Sequence, residues 1–192
     1  MDNRPFSVCV FCGSHAGNDA AHGDAARRLA RAIGERGWTL VYGGGALGLM
    51  GELARHAGAA GARVIGVRPD SLSHIEMPME KGLEIVRVAD LFERKKAMIA
   101  LSDAFVALAG GIGTLDELFE VVTTAQLGLH DKPVVVVNTN GFFDPILEFV
   151  RRAREAGFVY RPVEAFFHVA ATPEEAMAFI RAEWPVPPRR AG

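Results

Sequence analysis

Short runs that are apolar at every position recur along this chain, and between them lie longer stretches in which apolar residues return every three or four positions. Val134-Val135-Val136-Val137 is the plainest of the runs. A strand without polar alternate positions has no face to give to water, so such runs predict strands covered on both sides, as in a parallel sheet between two helical layers. They fall at residues 7–11, 39–42, 63–67, 83–88, 104–108, 133–137 and 166–169. Helical periodicity fills residues 19–35, 49–60, 91–101, 115–129, 143–156 and 173–183. Parallel neighbours need a crossover connection, and a helix supplies one. The alternation therefore predicts an α/β fold, a single Rossmann-like doubly wound parallel sheet with helices on both faces. A chain of 192 residues fills one such domain, expected over residues 1–184, and the proline-rich tail 185–192 is expected to fray.

In this architecture ligands lie outside the carboxyl ends of the strands, near the point where the strand order reverses. Cys12-Gly13-Ser14 follows the first strand, Gly43-Gly44-Gly45 the second, and Ala109-Gly110-Gly111-Ile112-Gly113-Thr114-Leu115-Asp116-Glu117 the fifth. The last stretch is the most informative. Its glycines let backbone approach a ligand, and the amide N–H groups at the following helix start, with the positive end of the helix dipole, favour a phosphate. Glu117 then stands beside whatever the turn holds. A carboxylate close to a bound anion is costly unless it has a task, so this pattern points to a phosphorylated sugar or nucleotide with Glu117 near the bond to be broken. The bland alternative is an ordinary first-turn acid that complements the dipole. The second glycine cluster, running from Leu40 to Gly51, repeats the strand-turn-helix design and favours the ligand. Neither cluster continues into the Gly-Lys-Ser/Thr of a Walker loop. Gly43-Gly44-Gly45-Ala46-Leu47-Gly48 matches Gly-x-Gly-x-x-Gly, with only Asp70, after Pro69, to stand for the ribose-binding acid of a dinucleotide site.

Composition narrows the partners. The chain is 49% apolar with a net charge of −2, and its charges are not clustered, which argues against nucleic acid or a lipid surface. No apolar run approaches the ~20 residues of a membrane span. Met1-Asp2-Asn3-Arg4-Pro5 leads directly into the first strand, so a cytoplasmic location is expected. Cys9 and Cys12 form a C-x-x-C string, yet they lie in a strand, where residues three apart face opposite sides, and are expected to be two small buried apolar residues. The six histidines show no metal-ligand spacing, and no metal is expected.

The combination of Phe11-Cys12-Gly13-Ser14, Val41-Tyr42-Gly43-Gly44-Gly45 with Gly48-Leu49-Met50-Gly51, Arg94-Lys95 with Met98, Ser102-Asp103-Ala104-Phe105 and Gly110-Gly111-x-Gly113-Thr114-x-x-Glu117 resembles the Lonely Guy (LOG) family of cytokinin riboside 5′-monophosphate phosphoribohydrolases. The likeness spans most of the chain, from the first strand to the helix at residues 143–156. Proteins of this family were long labelled lysine decarboxylases, but this chain carries no recognisable lysine-centred pyridoxal phosphate site. The resemblance implies hydrolysis of the N-glycosidic bond of an N6-modified adenosine 5′-monophosphate, and of AMP, by a homodimer that needs no cofactor. It implies a catalytic pair, Arg94 and Glu117. It also implies substrate contacts from Ser14, Gly43, Gly44, Glu76, Lys95, Gly110, Gly111, Ile112, Gly113, Thr114, Leu115, Asp116 and Thr123. The sequence departs from the family at Ala109, where proline is usual, and at Ile112, often aromatic.

The chemistry agrees with that assignment. Breaking a ribosyl–base bond builds positive charge on the ribose and negative charge on the departing purine, so a carboxylate and a cation on opposite sides are useful. Glu117 suits the first role, as oxocarbenium stabiliser, water-positioning group or ribose ligand. Arg94, permanently charged, suits electrostatic stabilisation of phosphate or leaving base better than proton donation. Two rivals stand beside this reading: a purine nucleotide (AMP) nucleosidase without a cytokinin role, and a non-catalytic nucleotide sensor or carrier.

Overall fold

The computed structural model describes residues 4–72 and 83–183. Its elements run β1 (Ser7–Phe11), α1 (Ala20–Glu35), β2 (Thr39–Tyr42), α2 (Gly48–Ala59), β3 (Arg63–Pro69), β4 (Glu84–Val88), α3 (Leu91–Ala100), β5 (Ala104–Ala107), α4 (Ile112–Gln126), β6 (Val134–Val137), α5 (Asp144–Glu155), β7 (His168–Ala170) and α6 (Pro173–Glu183). The strands form one sheet in the order β4-β3-β2-β1-β5-β6-β7, every neighbouring pair parallel. This is the doubly wound α/β fold that the apolar pattern predicts. Chain order walks outward from β1 to β4, then returns to the other side of β1 with β5, so the reversal lies between β1 and β5.

Burial follows the pattern. Every residue of β1, β2, β5 and β6 is buried, as runs without polar alternation require. β4, at an edge, is mostly exposed. The sheet divides the apolar core in two. One side packs Leu29 and Ile33 of α1, Leu53 of α2 and Met177 of α6; the other packs Met98 of α3, Leu118 and Val121 of α4 and Val150 of α5. Cys9 belongs to the second layer and Cys12 to the first, both free thiols, which is the opposite-face placement expected of residues three apart in a strand.

Two elements begin two or more residues from where the periodicity predicts. Helix α4 begins at Ile112 rather than at residue 115, because Gly111 takes an extended conformation as N-cap and the chain turns helical at once, through residues too small or too exposed to show apolar spacing. Strand β7 begins at His168 rather than at residue 166, because a 3-10 turn at Val163–Ala165 holds the amides of Phe166 and Phe167 to the Val163 carbonyl. The tail 185–192 lies outside the described residues.

The amino end of the sheet is tied by Asp103. Its carboxylate accepts from the Ser7 amide (2.9 Å) and hydroxyl (2.9 Å) and from both terminal nitrogens of Arg4, joining the starts of β1 and β5. At the other end α3 starts under a strong cap, with Asp90 accepting from the amides of Phe92 and Glu93 at 2.9 Å each. Replacing such a cap by alanine typically costs about 1 kcal/mol. Asp90→Ala is therefore expected to lower stability by about 1 kcal/mol in urea denaturation, and an unchanged midpoint would show that the cap contributes nothing.

Candidate active site

Three turns meet outside the carboxyl ends of β1, β2 and β5, at the reversal of strand order. The Gly13 amide donates to the Ala109 carbonyl at 3.0 Å, and the Met50 amide to the Gly13 carbonyl at 3.3 Å. A Cβ on Gly48 would overlap the backbone of Ser14, and one on Gly110 would overlap the Thr114 hydroxyl and lie 2.8 Å from the Gly13 nitrogen. These two glycines thus serve the contact between turns. Gly111 and Gly113 are different: a Cβ on either meets nothing within 4 Å, so their backbone faces open space.

Two of the helices that follow these turns, α2 and α4, start without a side-chain cap. Asp19 caps α1 and Asp90 caps α3 through their side chains, whereas Leu47 before α2 and Gly111 before α4 provide no side-chain bond. The first amides of a helix have no intrahelical acceptor. At α4 they therefore point, beside open backbone, to where an anion would sit. Thr114, in this first turn, is buried, and Ile112 is 83% exposed. Ser14 is exposed, while Gly43 and Gly44 are buried, Gly44 with a left-handed φ of 77°.

Arg94 and Glu117 approach from the α3–α4 side. Arg94 is only 8% exposed, and its Nη2 donates to the Gly43 carbonyl at 2.7 Å. Its Nε is buried with no hydrogen-bond partner among the described residues. Glu117 is half-buried on α4. Both charges are felt at one buried atom of β1: burial pushes the Cys9 thiol well above its ordinary pKa, Glu117 adds to the rise, and a hydrogen bond to Ser102 and the charge of Arg94 partly offset it.

Next to each stands a residue with another task. Lys95 Nζ bonds Glu120 at 3.0 Å and Asp116 at 3.1 Å, clasping α3 to α4. Burial opposes its charge, but the hydrogen bonds and charges of Glu120 and Asp116 outweigh burial and leave the lysine pKa raised. Leu115 packs against the core layer below. Thr123 is exposed and lies about 14 Å along the α4 axis from Thr114, at 1.5 Å per residue, so this chain does not bring it to the three turns. Glu76 lies outside the described residues. Among the described residues no group of three or more His, Cys, Asp or Glu could hold a metal ion, and no helix is long and apolar enough to cross a membrane.

Over residues 50–180 the chain matches the sequence family described as "Possible lysine decarboxylase". It is 48% identical over 152 residues to the cytokinin riboside 5′-monophosphate phosphoribohydrolase LOG1 of Arabidopsis thaliana, an alignment covering 79% of this chain and 71% of that protein. With the enzyme of the same designation, LOG, from Oryza sativa subsp. japonica, identity is 45% over 168 residues, covering 88% and 69%. The chain belongs to the LOG family. Among solved structures it is similar to the Moco carrier protein of Chlamydomonas reinhardtii, with a TM-score of 0.68 and 26% identity over 93% of this chain and 97% of that one. The molybdenum cofactor binding protein of Rippkaea orientalis shares the fold, with a TM-score of 0.71 at 21% identity over 95% and 99% of the two chains.

Within the LOG pattern the structure separates two kinds of residue. Ser102 and Asp103 belong to the motif but sit at the amino end of β5, where Ser102 Oγ donates to the Met98 carbonyl and Asp103 ties the strands. Arg68 escapes the sequence pattern altogether. It is 8% exposed at the carboxyl end of β3, beside Gly44, yet its setting between Val67 and Pro69 reads only as strand. Nothing local signals a buried cation there; the β2 turn comes close to it only in the folded chain, where a Cβ on Gly44 would lie 3.4 Å from Arg68 Cβ.

The cysteines yield a direct test. Burial, with the charge of Glu117 second, raises the Cys12 pKa as it does that of Cys9. A raised thiol pKa contributes stability that is present below the unfolded value, about 8.5, and is lost as pH climbs from there toward the folded value. Native protein at pH 8 is expected to resist iodoacetamide at both positions, with full labelling in denaturant and a lower urea midpoint at pH 10 than at pH 8. Labelling of native protein by mass spectrometry would show that the thiols are not held as structural groups.

Proposed function

We propose that this chain hydrolyses the N-glycosidic bond of N6-modified adenosine 5′-monophosphates, and of AMP, releasing the free base and ribose 5-phosphate. One observation carries the reading: the α4 start, without a side-chain cap and with open backbone at Gly111 and Gly113, leads into a half-buried Glu117 and lies at the same end of the sheet as the buried guanidinium that bonds the Gly43 carbonyl. The names of the relatives in Arabidopsis and rice support the same reaction. The amides from Gly111 to Thr114 receive the 5′-phosphate, with Ser14, Gly43, Gly44, Gly110, Leu115 and Asp116 lining the approach. Glu117 faces the ribose and Arg94 the anionic side of the reaction. Water oxygen bonds to C1′ as the C1′–N9 bond breaks. The bonding pair leaves with the purine, which takes up a proton while the attacking water gives one up. Glu117 stabilises the oxocarbenium-like ribose, and Arg94, too basic to serve as an acid, stabilises negative charge.

The working form we propose is a cytoplasmic homodimer. Exposed Leu127, Leu129, Phe149, Phe158 and Tyr160 supply apolar surface for a second copy, and the net charge of −2 argues against nucleic acid as partner.

Two measurements test this reading. Purified protein incubated with AMP, isopentenyl-AMP and the matching nucleosides is expected to release base from the monophosphates and scarcely from the nucleosides. Equal cleavage of the nucleosides would remove the phosphate from the α4 turn; nucleotide binding without release of base from any of them would favour a carrier. Glu117→Gln keeps shape and loses charge, and is expected to lower kcat on the order of 10²- to 10³-fold with nucleotide affinity retained. Near-normal turnover by a folded Glu117→Gln protein would take Glu117 out of the chemistry.

A further inference from the structure

A guanidinium is most useful to an anionic ligand when it is held in place without being neutralised. Carboxylates usually do the holding, and they cancel the charge in doing so. Arg94 is held differently. Its Nη2 donates to a backbone carbonyl, that of Gly43, at 2.7 Å, and the described residues give it no carboxylate partner. The carbonyl fixes the direction of the planar fork while leaving its full positive charge for the crevice.

The side chain of residue 43 decides whether this contact can form. A Cβ on Gly43 would overlap Arg94 Nη2 and come 3.0 Å from its Cζ. The next nearest atom, Met50 Sδ at 3.2 Å, belongs to a flexible side chain. The backbone itself makes no such demand, since Gly43 is not among the glycines with positive φ, whereas Gly44 is. Glycine at 43 is therefore required by Arg94 and not by the turn.

We propose that Gly43 is the positioning residue for Arg94: its carbonyl orients the guanidinium, and its missing side chain admits the guanidinium to the carboxyl end of β2. This rests on the reading that Arg94 acts on the bound nucleotide. Arg94 Nε is buried and has no hydrogen-bond partner among the described residues. An arginine pushed off the carbonyl by even ~1 Å loses its aim at the reacting nucleotide, and displacements of that size cost about 10²-fold in rate.

A double-mutant cycle tests the proposal, with base release from isopentenyl-AMP and thermal unfolding measured for wild type, Gly43→Ala, Arg94→Ala and the double variant. Gly43→Ala is expected to lower kcat about 10²-fold and to lower Tm. In the Arg94→Ala background the same substitution is expected to cost at least tenfold less in kcat than it does in wild type and to leave Tm unchanged, because the clashing atoms are gone. If Gly43→Ala does not fold but the double variant does, the steric part of the proposal stands on that rescue alone. Equal losses of Tm in both backgrounds, failure of both to fold, or wild-type kcat in Gly43→Ala would overturn the anchor. Full turnover by Arg94→Ala is a different failure: it removes Arg94 from the reaction and the catalytic consequence with it, while the Tm comparison still decides whether Gly43 seats the guanidinium.

Discussion

Backbone must touch backbone where the strand order reverses, and the remainder of the site depends on that contact. β1 has β2 on one side and β5 on the other, so the turns leaving these three strands diverge from a common line and close over each other again. They close through direct bonds, Gly13 to Ala109 and Met50 to Gly13, with Gly48 and Gly110 at the tightest approaches. A side chain at either glycine would hold the turns apart and move the start of α2 or α4 with them. Close packing of the turns is thus what fixes the uncapped α4 amides relative to the residues on α3.

Of the first four helices, α1 and α3 start under acid caps and α2 and α4 do not. Asp19 and Asp90 satisfy the amides at the starts of α1 and α3 internally. α2 and α4 leave theirs to solvent or ligand. The capped start of α3 is as necessary to the site as the open start of α4, because Arg94 lies one turn beyond Asp90 and inherits its position from that cap. Its neighbour Lys95 then bridges to Asp116 and Glu120, on either side of Glu117 in the chain, and clasps α3 to α4. Lys95 and Asp116 are paired with each other here, a structural role that motif matching alone does not suggest.

The family pattern is likewise a mixture of two constraints. Ser102 and Asp103 are as much part of it as Glu117, yet they bind the amino end of the sheet, far from the turns. Residues that recur together in a motif share a fold before they share a reaction. Only position relative to the carboxyl ends of the strands tells the two apart.

The sequence by itself determined the fold class, because strands buried on both faces can carry no polar alternation and that absence is visible in runs such as Val134 to Val137. It also marked the three turns that meet at the reversal of strand order, and it separated Cys9 from Cys12 through the two-residue period of a strand. The start of α4 was hidden, because Ile112, Gly113 and Thr114 bury too little apolar surface in sequence to show a helical period. Only the tertiary structure decided that Arg94 reaches across 51 residues to the Gly43 carbonyl and that Arg68 is buried beside Gly44. Hydrophobic period records which face of one element meets the core; it carries no information on which backbone carbonyl of another element a long polar side chain will find.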